Sequence, residues 1–244
     1  MPGARITYVG HATVLVDMDG TRVLTDPVLR PRLAHLRRHH PVDMSALGGV
    51  DAVLISHAHM DHLDIGSLSL FDRDMLIVTP PGTGRLLRRR NVLEVGEGDG
   101  TRIGTLEVRP THAEHDGRRF PLGPAVPAVG YRICGSRRVY FAGDTGLFDG
   151  MTEIGQAGVD IALLPISGWG KRLPAADHLG PKTAAEALQL LTPEIAVPIH
   201  WGTLSRIWGA PMGSSPAEEF ARTAGQVAPE VRVVIVHPGD SATL

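Results

Sequence analysis

Four potential metal ligands fall within the short segment Ser56-His57-Ala58-His59-Met60-Asp61-His62. The segment directly follows an apolar stretch, Ala52–Ile55, which is typical of a buried strand. Imidazole nitrogens and carboxylate oxygens are ligands that suit zinc and similar divalent ions. In an extended chain His57 and His59 point the same way, whereas Asp61 and His62 follow a turn and address another point. The segment therefore predicts two metal sites rather than one.

This segment cannot complete two coordination shells, so further ligands are expected singly at the ends of other strands. Three segments of the right form follow predicted strands, and they contain His112 and His115, Asp144, and His200. Asp144 is flanked by Gly143 and Thr145, and an aspartate beside a glycine can instead be only a turn residue. Both interpretations of Asp144 stay open on the spacing alone.

The order His57-x-His59-x-Asp61-His62, a later lone histidine, Gly143-Asp144-Thr145 and Ile199-His200-Trp201-Gly202 resembles the metallo-β-lactamase-fold hydrolases along essentially the whole chain. Further motifs resemble the branch that contains N-acyl-phosphatidylethanolamine phospholipase D and the L-ascorbate-6-phosphate lactonase-like proteins. These motifs are Gly10-His11-Ala12-Thr13-Val14-Leu15, Thr25-Asp26-Pro27, His200-Trp201-Gly202-Thr203 and Asp177-His178-Leu179-Gly180-Pro181. The resemblance implies a four-layer αββα sandwich.

The resemblance also implies a ligand set. One metal would be held by His57, His59 and His115, the other by Asp61, His62 and His200, with Asp144 bridging both. We choose His115 over His112 because Ala113-Glu114-His115 fits the Ala-x-His pattern of the branch. His112 is then a neighbour of the site.

Roles outside the ligand set follow from the same resemblance. His11 and Asp26 would orient ligands. His178 would lie near the substrate, to donate a proton or bind an anion, although it could merely be a histidine at a helix start. Asp61 would orient the attacking hydroxide or move its proton, or act as a plain ligand.

Two divalent ions per chain are therefore expected, with zinc favoured and manganese or iron as alternatives. Two such ions repel one another, and a shared carboxylate offsets that repulsion. Together they would lower the pKa of bound water and so supply a metal-bound hydroxide at neutral pH. Di-iron redox relatives carry Glu where this chain has His59, which argues against redox chemistry.

The expected substrate is a small anionic molecule. The candidate pocket walls are Arg30–His40, Asp116–Pro127 and Ser167–Leu173, in which Arg118 and Trp169 are candidate substrate-binding residues. Arginine beside a dinuclear site favours a phosphodiester or another phosphorylated small molecule. A lactonase or other acyl hydrolase is the main alternative. A nuclease and a non-enzymatic, metal-stabilised binding protein are further alternatives.

Short β-rich runs separated by turns make up the elements that must position these residues. Strands are predicted at Arg5–Val9, Thr13–Asp17, Arg22–Thr25, Ile195–Ile199 and Val231–Val236, among others. Helices are predicted at Gly84–Arg90, Lys182–Leu191 and Pro216–Gln226. Arg30–Met44 is predicted to be an exposed loop. The mixture indicates an α/β domain with two packed sheets and helices outside.

Composition narrows the class of protein. The 244 residues are expected to form one domain, 1–244, and no apolar run reaches the ~18 residues of a membrane-spanning helix. The single cysteine, Cys134, excludes an internal disulfide and fits the cytoplasm, where we expect the protein. The net charge of −2 argues against nucleic-acid binding, although 22 of the 24 basic residues are arginine. The sequence leaves the oligomeric state open.

Overall fold

A computed structural model of the protein describes residues 3–89, 91–119, 123–167, 177–207, 209 and 213–244. Its strands are β1 (Arg5–Gly10), β2 (Thr13–Met18), β3 (Thr21–Thr25), β4 (Arg32–Leu33), β5 (Leu36–Arg38), β6 (Ala52–Leu54), β7 (Leu76–Thr79), β8 (Val92–Glu94), β9 (Thr101–Ile103), β10 (Leu106–His112), β11 (Val129–Cys134), β12 (Arg138–Phe141), β13 (Ile161–Pro165), β14 (Ile195–Ile199), β15 (Leu204–Arg206), β16 (Arg232–Val233) and β17 (Ser241–Thr243). The α-helices are α1 (Ile65–Leu68), α2 (Met151–Gln156), α3 (Pro181–Leu191) and α4 (Ser215–Val227).

Two mixed sheets of seven strands each carry the fold. The first sheet has the order β17-β1-β2-β3-β6-β7-β8, and the second has the order β16-β14-β13-β12-β11-β10-β9. Each sheet is antiparallel on one side and parallel on the other, from β3 to β8 and from β12 to β16. A separate three-stranded sheet, β15-β5-β4, lies outside both.

Both faces of each large sheet are covered. In the first sheet Leu54 joins the main core with Tyr131 and Phe141 of the second sheet, while its neighbour Val53 packs on the opposite face with Leu63. Successive strand residues point to opposite faces, so two buried neighbours require a layer on each side. Helices α2 and α3 pack together, as do α3 and α4, and α3 contacts β13. The predicted four-layer αββα sandwich is confirmed.

Helix α3 begins and ends as its sequence predicts. Pro181 occupies its first turn, the backbone N–H of Gly180 donates to Thr183 Oγ1 at 2.8 Å, and Thr192 closes the helix with a φ of 44°. Proline suits the first turn because the N–H that it lacks would have no helical partner there. The helix buries an apolar stripe that includes Leu188 and Leu191 against the core.

The prediction of an exposed loop at Arg30–Met44 is wrong in part. β4 and β5 form a hairpin there, and β5 pairs with β15, with Leu36 opposite Arg206. The partner strand lies far away in the chain, so no local pattern reveals it. Arg38, expected in solvent, is buried because its guanidinium donates to the carbonyls of Val9 at 3.0 Å and Val28 at 2.5 Å.

Two other predicted elements are shorter than expected. The helix predicted at Gly84–Arg90 is only a 3-10 turn, Gly84–Leu86, because Leu87 turns extended and buries its side chain. The last predicted strand, Val231–Val236, keeps only Arg232–Val233 as β16. Its partner β14 contains Pro198, which has no N–H to continue the ladder beyond Val234.

Within the described residues, no helix combines the length and apolar character needed to cross a lipid bilayer.

Candidate metal centre

The predicted site residues follow the carboxyl ends of six strands. His11 follows β1, Asp26 follows β3, residues 57–62 follow β6, His115 follows β10, Asp144 follows β12, and His200 follows β14. Pairing within each sheet gives the members of each set the same direction: β1, β3 and β6 in the first sheet, and β10, β12 and β14 in the second. The side chains therefore meet at one edge of the sandwich.

His57, His59 and His115 form the first group of residues that could hold a metal ion, here called the first ligand group. One ring nitrogen from each lies within 4.8 Å of the others. His115 Nε2 is 3.2 Å from His59 Nδ1, and Nε2 of the fully buried His57 makes no hydrogen bond to any described residue. A buried nitrogen without a partner is costly, so this atom points to a ligand that the protein itself does not supply.

Asp61, His62 and His200 form the second ligand group together with His11. Their ligand atoms also lie within 4.8 Å of one another. His11 Nε2 is 3.2 Å from Asp61 Oδ2, and the His11 and His200 rings have centroids 3.8 Å apart. The structure thus makes His11 itself a possible metal ligand, and it also places His11 beside Asp61, another possible ligand.

The carboxylate of Asp144 lies against the second group. Oδ2 is 3.1 Å from His62 Nε2, and Oδ1 is 3.3 Å from His200 Nε2. Asp144 also forms a compact group with His115 and His178, whose Nε2 is 3.5 Å from Asp144 Oδ2. The carboxylate thus has near neighbours from both ligand groups.

Hydrogen bonds at Nδ1 direct the opposite nitrogen of four histidines toward the centre. His115 Nδ1 donates to the carbonyl of Asp177 at 3.0 Å, and His200 Nδ1 donates to that of Ser167 at 2.6 Å. Carbonyl oxygens only accept, so these rings carry the proton on Nδ1 and present the lone pair of Nε2. His62 and His57 obey the same logic through the group around Asp26.

Asp26 links one histidine of each ligand group. Its fully buried carboxylate accepts from the Ser56 backbone N–H at 2.7 Å, the Ser56 hydroxyl at 2.5 Å and His62 Nδ1 at 2.8 Å. Because the Ser56 hydroxyl donates to Asp26, it must accept from His57 Nδ1, 2.9 Å away. Partners of this kind fix the ring orientation and raise the basicity of metal-ligating histidines.

Burial and mutual repulsion set the charges of the first group. Burial lowers the pKa of His57 well below its ordinary value, and burial together with His115 and His62 lowers the pKa of His59 to about 4. Burial likewise lowers the pKa of His115. These imidazoles are neutral at pH 7 and so are available as metal ligands.

The carboxylates of Asp61, in the second group, and of Asp144 are ionised. Burial alone would raise the pKa of Asp144, but His200 and His62 outweigh it and hold that pKa well below the ordinary value. Burial alone would lower the pKa of His62, but the carboxylates of Asp144 and Asp26 raise it well above its usual range. The neutral imidazoles of the first group, the ionised carboxylates and the buried ring nitrogens that make no hydrogen bond to a described residue are a donor set that fits divalent cations, for which the proton on His62 would have to leave.

His112 lies away from this edge. Its ring is exposed between Glu97, 2.8 Å from Nδ1, and Glu114, 3.4 Å from Nε2. His112 belongs to β10 itself, whereas His115 comes three residues later, after the strand has ended. The structure therefore brings His115, and not His112, to the site.

The arginines expected beside the site are mostly bound to the protein. Arg30 pairs with Asp64 at 2.5 Å, and Arg119 donates to the carbonyls of Ala58 and Leu63. Arg118 is exposed. Trp169, the other candidate substrate-binding residue, lies outside the described residues, as do Lys171 and Arg172.

Sequence reasoning missed the residues that hold the ligands in place. Ser56 could have been noticed as a hydroxyl beside His57 at the end of a strand. His200 and His115 are held by the backbone carbonyls of Ser167 and Asp177, and Arg119 holds the 57–62 loop through the carbonyl of Ala58. Every residue has these backbone atoms, so residue type gives no signal for such contacts.

The model of the "Beta-lactamase superfamily domain" family matches residues 21–201 of the chain. The UPF0173 metal-dependent hydrolase MK1542 of Methanopyrus kandleri is 35% identical over 97% of this chain and 98% of its own length. A UPF0173 metal-dependent hydrolase of Aeropyrum pernix is 30% identical over 98% and 96% of the two chains.

Among solved structures, Igni18 is similar over 99% of this chain and 98% of its own, with 26% identity and a TM-score of 0.77. It is described as a metallo hydrolase from the hyperthermophilic archaeon Ignicoccus hospitalis. Similarity of sequence and of fold thus spans the strand ends that carry both ligand groups.

Proposed function

Because the chain belongs to the β-lactamase superfamily and is a metal-dependent hydrolase of that family, we propose that it works with two divalent cations. His57, His59 and His115 would hold one cation, Asp61, His62 and His200 would hold the other, and Asp144 would bind both. The observation that carries the proposal is the convergence of these two groups on either side of Asp144. Zinc suits the nitrogen-rich donor set best, and manganese or iron are the alternatives.

When bound, the two cations supply Lewis-acid polarisation of the substrate and lower the pKa of the attacking water. Asp61 is the residue that accepts the proton of this water. Its carboxylate is only partly buried, at the edge of the second ligand group, and His11 Nε2 orients it from 3.2 Å at Oδ2. Burial would raise the pKa of Asp61, but the bond from His11 and the nearby His62 keep it well below the ordinary value.

His178 is the residue that donates a proton to the leaving oxygen. It lies beside Asp144, with Nε2 at 3.5 Å from Oδ2, and its side chain is 14% exposed. Burial would lower the pKa of His178, but Asp144 raises it above the ordinary value and so favours the protonated ring. A protonated imidazole beside the Asp144 carboxylate, at the edge of the candidate metal centre, suits general-acid catalysis.

For the substrate we propose a phosphodiester or another phosphorylated small molecule, as in the branch of phospholipase D-like and lactonase-like proteins that the motifs resemble. Two cations beside one carboxylate suit the anionic phosphoryl group. A lactone or other acyl ester is the second candidate. It is favoured by the engagement of Arg30, Arg38 and Arg119 with groups of the protein, which leaves few described cations to bind a phosphate.

The test is turnover of a chromogenic phosphodiester and a chromogenic lactone by zinc-loaded protein, beside Asp144→Asn and Asp149→Asn. Asp149 is exposed in the same loop and serves as the matched control. We expect hydrolysis that Asp144→Asn reduces at least about a hundredfold and Asp149→Asn leaves unchanged. Turnover of the lactone alone would replace the phosphodiester proposal, and equal activity of both variants would refute the bridging role of Asp144.

A further inference from the structure

A small apolar pocket opens beside the candidate metal centre. One wall is the tip of the β4–β5 hairpin, residues 33–36, and the other is the segment 59–61. The second wall includes His59 of the first ligand group and Asp61 of the second. An occupant of this pocket would therefore sit next to both cations.

The hairpin wall is held in place by its own core and by a buried arginine. Leu33 and Leu36 are buried with Val28, which precedes the hairpin, and with Leu204 of its partner strand β15. Arg38, at the end of β5, donates to the carbonyls of Val9 and Val28. A wall anchored in this way keeps its shape before a ligand arrives, which reduces the entropy lost on binding.

The volume and lining of the pocket define what fits it. Its volume is about 160 Å³, close to the roughly 150 Å³ apolar cavity that binds benzene. Leucine, alanine and methionine side chains dominate the lining, and the charged group at its edge is the carboxylate of Asp61. The leucine, alanine and methionine side chains offer a charged group no hydrogen bond, whereas an apolar group would lose only its contact with water here.

We propose that this pocket is the substrate-specificity subsite of the hydrolase and receives an uncharged apolar substituent the size of a phenyl ring or a short branched alkyl chain. The inference rests on the proposed function because it places this substituent beside the bond to be hydrolysed. It adds that the substrate has two unlike parts, a polar head at the cations and a compact apolar group under the hairpin.

Ala34 is the position at which the pocket can be changed without disturbing the ligands. Its φ is 47°, in the left-handed region that asparagine and glycine tolerate better than other residues. Ala34→Asn therefore places a polar amide in the lining without added backbone strain. Ala34→Gly, the matched control, keeps the pocket free of polar side-chain atoms at the same position.

The experiment is calorimetric titration of the zinc-loaded protein with acetohydroxamate and benzohydroxamate, which share a metal-binding head and differ in the apolar group. We expect benzohydroxamate to bind at least about tenfold more tightly. The preference should disappear in Ala34→Asn and persist in Ala34→Gly. Zinc content of each variant is measured to show that both ligand groups are intact.

Equal affinities for the two hydroxamates, no binding of either, or a preference unchanged in Ala34→Asn would overturn the subsite. The readout is binding, so it does not depend on turnover. A protein that prefers benzohydroxamate but hydrolyses neither chromogenic ester would refute the proposed substrates and leave the subsite standing. Hydrolysis without the preference would do the reverse.

Discussion

Asp26→Asn keeps the shape of a fully buried side chain but removes its charge and one of its two acceptor oxygens. The native carboxylate accepts from the Ser56 backbone, the Ser56 hydroxyl and His62 Nδ1. In one amide orientation the NH₂ group faces His62 Nδ1–H, and in the other it faces the Ser56 N–H. Either orientation leaves one buried donor without a partner, which costs about 1–3 kcal/mol.

The effect on metal binding follows from the proton of His62. The native carboxylate keeps the proton of the neutral His62 ring on Nδ1, whereas an amide NH₂ opposite Nδ1 favours the neutral ring with its proton on Nε2, the nitrogen that faces Asp144 at 3.1 Å. That nitrogen must then lose its proton before it can bind a cation. Loss of such an orienting partner typically weakens metal affinity by about 10–100-fold. Because hydrogen bonds of the Ser56 hydroxyl connect Asp26 to His57 as well, we expect both ions to bind more weakly.

The assay is titration of metal-free protein with zinc in competition with a chromophoric chelator, which resolves the stoichiometry and both dissociation constants. Asp72→Asn, at an exposed site, is the control for a lost aspartate charge. Ser56→Ala is the informative intermediate, because it cuts the link to His57 and leaves the Asp26–His62 bond intact. It should weaken one ion more than the other.

The reasoning fails if Asp26→Asn folds and binds two zinc ions with wild-type affinity. It also fails if Ser56→Ala weakens both ions equally, because the two ligand groups would then not be reached by separate links. A variant that loses stability while keeping its zinc affinity would show that Asp26 supports the fold alone.

Three further outcomes are expected. Gly143→Ala should cut zinc affinity and lower the melting temperature, because the φ at this position is 63° and the added Cβ would lie 2.8 Å from that of Ser56; wild-type zinc titration would contradict this. Metal-free protein should lose stability against urea as the pH falls from 7 to 4. The unfolded state protonates His59 near pH 6.5, whereas the folded state, in which the pKa of His59 is about 4, does not. This group alone lowers the free energy of unfolding by about 3 kcal/mol over this range, and a stability that does not change with pH would contradict the prediction. Arg38→Met should cost about 2–4 kcal/mol in the same assay, because it leaves the Val9 and Val28 carbonyls unpaired, and Arg37→Met, at an exposed position, should cost under about 0.5 kcal/mol.

The positions of the site residues could be predicted from sequence because they depend on local patterns. Ile195–Ile199 is a strand with the predicted bounds, and the histidine after it lies at the expected edge. Proline and the residues around it mark the ends of α3 in the same way. The prediction of His115 rather than His112 rests on a resemblance, and in the structure His115 lies beside His57 and His59 whereas His112 does not.

Contacts between distant segments could not be predicted. β5 pairs with β15, so the hairpin that lines the pocket is joined to a segment about 170 residues away in the chain. Arg38 belongs to a basic run that is typical of an exposed loop, yet its guanidinium satisfies carbonyls on two other segments. The residue type is the same in solvent and in the core, so only the fold decides which role it takes.

The first and last strands of the described chain are partners in one sheet. β17 pairs with β1, with Arg5 opposite Thr243, and the hydroxyls of Thr7 and Ser241 meet at 2.8 Å across a separation of 234 residues. At roughly 5–20 residues per second of synthesis, β1 waits on the order of ten to fifty seconds for this neighbour. Throughout that time its edge offers unpaired backbone groups to any other extended chain. The growing polypeptide is therefore open to misassembly at this edge of β1 until β17 has been synthesised and pairs with it.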